Sequence, residues 1–525
     1  MQKITKPLLL FFLFIVIASC EQKREETKAI PDYLEEMNVL ELQDGYTKGT
    51  FTAEQVVKDY LARIEAIDKK GPGINSILFV NPKAIELAKE LDKERREGKI
   101  RGPLHGIPVI LKDNIDTQDM PTTAGATVLR NSYPPKDSYI TTQLKNAGAI
   151  IIAKANLSEW ANFRGDMSSS GWSGVGGQTK NPYVLDRNPC GSSAGSGASI
   201  AASLAAFAIG TETNGSIVCP SNNNGLVGLK PTVGLLSRSG IIPISFTQDT
   251  PGPMARSVED VAVSLGVLVG VDSSDSKTLA STGKYLTDYT KSLKKDGLKG
   301  KRLGLLKSSL GYHAKVDTLM KQAVAQLKSQ GAEIIELDFS MDRAANGSSF
   351  QVLLYEFNDG LTKYFASLGE KTPVKNLKEL IEFNKKDSIE LRYFDQKLLE
   401  MAAAKGDLTT KEYVDALALM WKATRENGID KLLKENSLDA LIAPTGSPAW
   451  KTDLIDGDHF IGGSSSVAAI SGYPSITVPM GFIDELPVGI SFFSTAWTES
   501  LLLEIAYGYE QSTKHRKAPK YIHSN

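Results

Sequence analysis

Apolar residues recur at helical spacing early in the chain, where Val56, Val57, Tyr60, Leu61, Ile64 and Ile67 form one stripe. The segment Phe51-Thr52-Ala53-Glu54-Gln55 supplies a start signal, with Thr52 as N-cap, Gln55 at the third helical position and Phe51 placed to staple against Val56. A second helix is expected over about residues 82–97, where mixed charges mark a solvated outer face ahead of the Gly102-Pro103 turn. Short apolar runs then read as buried strands at 107–111, 149–153, 226–229, 302–306, 332–337, 439–443, 475–478 and 488–493. Between them lies a helix expected over 194–206, rich in Ala, Ser and Gly, whose small side chains let neighbouring backbone come close. Residues 341–433 are amphipathic, helical and poor in strand signals, as an insertion on a central α/β core would be. No repeat and no Pro/Gly/Ser-rich break divides the chain, so residues 33–525 read as one large α/β domain.

The N-terminus departs from this pattern. Lys3 and Lys6 precede an apolar run over residues 8–17 that closes on Ile17-Ala18-Ser19-Cys20, which reads as an export signal over residues 1–19. It resembles the lipobox of bacterial lipoproteins, which implies lipidation of Cys20, a charged tether over residues 20–32, membrane attachment through the lipid and a location in the bacterial cell envelope. With 60 Lys and Arg against 61 Asp and Glu, the formal charge of −1 gives no field that would draw the protein to nucleic acid. Cys190 and Cys219 remain beyond Cys20; the expectation is two buried free thiols rather than a bridge, and no zinc-ligand spacing exists.

The chemistry is restricted by what is scarce. Only five histidines occur, His105, His313, His459, His515 and His523, and none lies in a nucleophile-elbow or HExxH context, which argues against a Ser-His-Asp hydrolase and against metal chemistry. Three segments stand out instead. In Val109-Ile110-Leu111-Lys112-Asp113-Asn114 a lysine directly follows an apolar run, and burial depresses a lysine's pKa. Pro189-Cys190-Gly191-Ser192-Ser193-Ala194-Gly195-Ser196 is a small-residue turn opening a helix. In Gly210-Thr211-Glu212-Thr213-Asn214-Gly215-Ser216-Ile217, a glycine before a serine lets successive backbone N–H groups share one hollow. Each alone has a plain structural reading: a surface-seeking lysine, a helix cap, a loop.

Together, in this order and with Ser192 and Ser216 spaced 24 residues apart, these segments resemble the amidase-signature family. The resemblance continues through residues 225–232, 248–256 and 472–481. It implies a single large domain, a mixed twisted β-sheet flanked by α-helices, and no cofactor. It also implies a triad: neutral Lys112 takes a proton from Ser192, Ser192 takes one from Ser216, and Ser216 attacks the amide carbonyl. Backbone N–H groups of Thr213, Asn214, Gly215 and Ser216 would stabilise the oxyanion. For Lys112 to serve, its pKa must fall from about 10.4 toward neutrality, at a cost of ~4 kcal/mol. The variant Asn214-Gly215-Ser216-Ile217-Val218-Cys219-Pro220, together with Pro243 and residues 248–256, looks most like bacterial peptide amidases, which remove the C-terminal amide of peptides.

The competing reading within enzymes is an amidase acting on fatty, aryl or cyclic oligoamides, with Phe350, Leu354 and Phe357 as candidate wall positions at helical spacing. From another class comes a catalytically silent, membrane-tethered binding protein, which the presence of all three triad residues disfavours.

Overall fold

In the computed structural model, which describes residues 32–523, the stripe beginning at Val56 is the helix Ala53–Arg63. Thr52 caps it by accepting the Gln55 N–H at 3.1 Å. The ring of Phe51 lies against Tyr33 and Tyr46, each with centroids 5.5 Å away. The next helix, Ala84–Arg96, has a solvated side but buries Ala84, Ala88, Leu91 and Asp92. Asp92 explains why a charged helix packs here, since its carboxylate accepts the N–H groups of Ala53 (2.8 Å) and Glu54 (2.9 Å) and so supplies partners that the first helix lacks at its own start.

Eleven strands form one mixed sheet. Their order across it is Ile77–Val80, Ile150–Ala155, Pro108–Lys112, Phe207–Glu212, Thr250–Ala255, Val227–Lys230, Ser475–Ile483, Leu486–Phe493, Ala440–Pro444, Arg302–Leu306 and Glu333–Leu337. The edge strand Ile77–Val80 pairs antiparallel; inside it and at the opposite end the pairings are parallel, and the centre is antiparallel. Helices cover the sheet, as a parallel arrangement requires, and the chain is a single large α/β domain. All eight expected strands are present. The expected helix over 194–206 ends earlier, at Ala201, after which Ser203 adopts φ 53° and the chain turns into the strand Phe207–Glu212.

The strand Pro108–Lys112 lies between two parallel neighbours, with all five residues buried. Its last residue therefore starts a lysine side chain inside the protein.

Residues 341–433 are helical, as expected, and include Arg343–Ser367, Leu377–Asn384, Lys397–Ala403 and Lys411–Trp421. The first three pack through Leu354, Phe357, Leu361, Phe365, Leu380 and Leu399 against Trp160 and Phe163 of the sheet-side loop. Arg164 joins this contact, its guanidinium 3.0 Å from the Glu159 carboxylate and 3.6 Å from that of Glu390, all three side chains being buried.

Replacing Asp92 with Ala leaves two N–H groups unpaired at the start of the helix Ala53–Arg63. The expected loss is about 1–3 kcal/mol, read as a lower thermal unfolding midpoint, with Asp92→Asn retaining part of it.

Candidate functional site

Three buried lysines show how differently the fold treats the same group. Lys154 is ion-paired with Asp113 at 3.0 Å, and Lys230 donates to the Pro231 carbonyl at 3.1 Å. Lys112 has no carboxylate within 4 Å among the described residues. Its Nζ lies 2.7 Å from Ser192 Oγ, 2.8 Å from Thr211 Oγ1 and 3.2 Å from the Thr211 carbonyl. Asn114 Nδ2 donates to the same Thr211 hydroxyl at 3.0 Å, which fixes its orientation. Burial pushes Lys112 down to about 7, while the more distant charges of Asp249 and Glu212 pull it back up.

Ser192 stands just before the helix Ala194–Ala201, at the end of a turn that only a residue without a side chain can precede: a Cβ on Gly191 would lie 2.2 Å from Ser158 Oγ. The Gly191–Ser192 peptide is cis. The Ser158 N–H donates to the Ser192 carbonyl at 3.0 Å, and the Ser193 N–H donates to the Ser216 carbonyl at 3.3 Å, so the two serine segments are bonded side by side. Ser216 follows the strand Phe207–Glu212 and precedes the short helix Val218–Asn223. It is half-buried, and Gly215 before it takes φ 83°, a conformation that L side chains rarely adopt.

Glu212 shapes this turn. Its Oε2 accepts the N–H groups of Ile217 (2.8 Å) and Val218 (3.0 Å), so a buried carboxylate takes up the donors on the far side of Ser216. Asn214 contributes through its side chain: its Oδ1 accepts from Ser465 Oγ at 2.7 Å and its Nδ2 donates to Ser466 Oγ at 3.2 Å. Thr213 donates to Asp249 at 2.6 Å; Asp249 also accepts the Ile244 and Ser245 N–H groups, and burial pushes its carboxyl up to about 6.

Ser192, Gly215 and Ser216 line a cavity of about 410 Å³, with Phe163, Trp450 and Phe460 on its walls. The helical segment contributes Leu353 to this wall, whereas Leu354 and Phe357 are fully buried in the core behind it. Phe350 is only partly buried and sets its ring against Phe163 at 6.3 Å. The expected wall face is therefore off by one position. Asp458, also on the cavity, ties its edge together by accepting from the Ser170 N–H (2.9 Å), Ser170 Oγ (2.5 Å) and Trp450 Nε1 (3.1 Å).

Cys190 and Cys219 are bridged, with Cα atoms 5.9 Å apart, and are not the free thiols expected. The pairing of the two serine segments brings the residues on their outer sides face to face, which sequence separation concealed. Among the described residues no group of three or more His, Cys, Asp or Glu could hold a metal ion. His105 is buried, with its Nε2 2.9 Å from the Leu91 carbonyl. Thr211, Asn114, Glu212, Asp249 and Asp458 went unnoticed as functional positions in the sequence. Thr211 and Glu212 sit in the glycine–serine segment itself, and Asn114 lies two residues after Lys112, so proximity to those segments was the available signal.

The family model for amidases matches residues 55–503. A probable amidase of Arabidopsis thaliana is 38% identical over 503 residues, covering 93% of this chain and 92% of that protein. A putative amidase of Schizosaccharomyces pombe is 35% identical over 525 residues, covering 93% and 87%. The structure of native peptide amidase from Stenotrophomonas maltophilia is similar with a TM-score of 0.89 and 47% identity, over 93% of this chain and 99% of that one. The plant and fungal relatives, similar over some 500 residues, overturn the location in a bacterial envelope expected from residues 1–20. The export signal, Cys20 and most of the tether lie outside the described residues. Among the described residues no helix is long and apolar enough to cross a membrane.

Glu212→Ala leaves the Ile217 and Val218 N–H groups without acceptors. It should lower the thermal midpoint by the equivalent of about 2–6 kcal/mol, and Glu212→Gln, which keeps one acceptor oxygen, should lower it by less.

Proposed function

The chain belongs to the amidase family, and from that premise we propose that it hydrolyses the C-terminal amide of peptides through an acyl intermediate on Ser216, with Ser192 relaying protons to and from Lys112. The observation that carries this reading is the unpaired lysine. A protonated Lys112, buried with only hydroxyl and carbonyl partners, would be a charge without a counter-ion, so the neutral amine is favoured as pH rises through about 7. A neutral amine has two N–H donors and one lone pair. With Nζ donating to the Thr211 carbonyl and to the Thr211 hydroxyl, both N–H donors of the neutral amine are engaged on Thr211 and the lone pair is left for the Ser192 proton.

The proton then moves from Ser192 Oγ to Lys112 Nζ, and from Ser216 Oγ to Ser192 Oγ, as Ser216 Oγ bonds to the amide carbon. The carbonyl π electrons pass to its oxygen. Among the described residues no protein acceptor takes the backbone N–H groups of Asn214, Gly215 or Ser216, which supports their use for that oxyanion. Collapse breaks the C–N bond, Ser192 returns a proton to the nitrogen, and ammonia departs. Water enters by the same relay and releases the acid and free Ser216.

The peptide amide is favoured over fatty, aryl or cyclic oligoamides by the similarity to the Stenotrophomonas peptide amidase across nearly the whole of both chains. The cavity agrees in size and character, with Trp450, Phe460, Leu353 and Phe163 offering apolar walls for a side chain beside the amide.

Ammonia release from a panel of peptide, fatty and aryl amides is expected to be fastest with peptide amides; a preference for fatty or aryl amides would reject the substrate assignment. Ser216→Ala and Lys112→Ala should each lower kcat/KM by roughly 10²–10⁴ or more with the thermal midpoint of Ser216→Ala little changed. An electrophilic serine reagent should label Ser216.

Because the working amine is the deprotonated form, kcat/KM should fall about tenfold per pH unit below about pH 7 and level off above it. The Asp249 carboxylate raises the Lys112 pKa, so Asp249→Asn should move the acid limb to lower pH. An unmoved limb would remove Lys112 as the titrating base.

A further inference from the structure

The bridge between Cys190 and Cys219 closes a ring over a separation of 29 residues, and that ring contains Ser192 and Ser216. One half-cystine stands two residues before Ser192 and the other three residues after Ser216. Both also border the cavity that the serines line. Cys190 is buried and Cys219 half-buried, so the bridge sits at the cavity wall rather than in the distant core.

Cys190 has φ 58°, a left-handed conformation that favours glycine over any residue with a Cβ. A cysteine at this position works against backbone preference and makes the cross-link. Other anchors around the two turns are hydrogen bonds: the Cys190 N–H to Asn188 Oδ1 at 2.8 Å, the Cys219 N–H to the Gly215 carbonyl at 2.8 Å, and the Glu212 carboxylate on the residues between. The sulfur–sulfur bond is the covalent tie between the segment that carries Ser192 and the segment that carries Ser216.

We propose that the Cys190–Cys219 bridge is a positioning device for amide hydrolysis, holding the Ser192 and Ser216 turns in register, so that turnover responds to a small dithiol entering through the catalytic cavity. The inference rests on the reading of Ser192 and Ser216 as relay and nucleophile. In the redox step a thiolate of the dithiol attacks one cystine sulfur, the sulfur–sulfur bond breaks and a mixed disulfide forms. The second thiol of the reagent then displaces the protein sulfur. The dithiol ends as a cyclic disulfide, and Cys190 and Cys219 end as thiols carrying the two protons. With the tie gone, the hydroxyls keep their chemistry and lose their alignment, a loss that falls on the chemical step rather than on substrate binding.

The test uses the full chain and any amide that the oxidised protein turns over. If the oxidised protein hydrolyses no amide, the functional reading fails, whatever the bridge does. Given turnover, treatment with a dithiol should lower kcat roughly tenfold to a hundredfold with KM within about twofold, and removal of the dithiol with reoxidation should restore it. The double variant Cys190→Gly/Cys219→Ala, which places a glycine where φ is positive, should show the low kcat and no further response to dithiol. A reduced protein or double variant that keeps the oxidised kcat would overturn the proposal. So would alkylation of both cysteines in untreated protein, which would show no bridge. Loss of the thermal unfolding transition on reduction would make the bridge a stability element and overturn the positioning role too.

Discussion

Sealing an amine from water with no carboxylate beside it is among the costlier arrangements a fold can hold, and the surroundings of Lys112 are organised around that cost. The strand that carries the lysine is buried along all five residues between two parallel neighbours, so the side chain has no route to solvent. Thr211, on the adjacent strand Phe207–Glu212, supplies two oxygens in place of an anion, and Asn114 holds the Thr211 hydroxyl in its orientation. The carboxylates of this region are engaged with other groups: Asp113 with Lys154, Glu212 with two backbone amides, and Asp249 with Thr213 and a neighbouring loop. Anionic charge near the site therefore stabilises its frame while leaving the amine without an ion pair.

Much of the frame was legible in the sequence. Short, mostly apolar runs bounded by turns, such as 107–111 and 488–493, became strands buried on both faces of the sheet. Thr52 and Gln55 marked a helix start for local reasons that tertiary context does not override. The strand Thr250–Ala255 was missed since it contains two prolines and a glycine, and Phe207–Glu212 was hidden behind a continuous small-residue stretch in which helix and strand periodicities look alike. The break at Ser203, where the backbone turns left-handed, carries no glycine to announce it.

The site was legible in a different way. Lys112, Ser192 and Ser216 could be picked out through resemblance and through the chemistry of their segments; the structure sets Lys112 Nζ 2.7 Å from Ser192 Oγ and brings Ser192 and Ser216 to one cavity. The partners that orient them could not be picked out. Whether Glu212 faces amides or another charge, and whether Cys190 faces Cys219, depends on contacts between segments distant in sequence, and no pattern of spacing encodes them. The wall on the helical segment shows the finest version of this limit: Leu353 reaches the cavity and Leu354 does not, a rotation of one residue around the helix Arg343–Ser367.

That helix also separates two inventories of residues. Lys112, Ser192 and Ser216 are contributed by strands and turns of the central sheet, whereas Leu353 on the cavity wall comes from a region joined to the sheet through Trp160, Phe163 and the buried Arg164 cluster. A substitution at Leu353 thus alters the cavity wall without touching the contacts of Lys112, Ser192 or Ser216. Shape at the rim and the hydrogen-bonded frame beneath it can therefore vary independently.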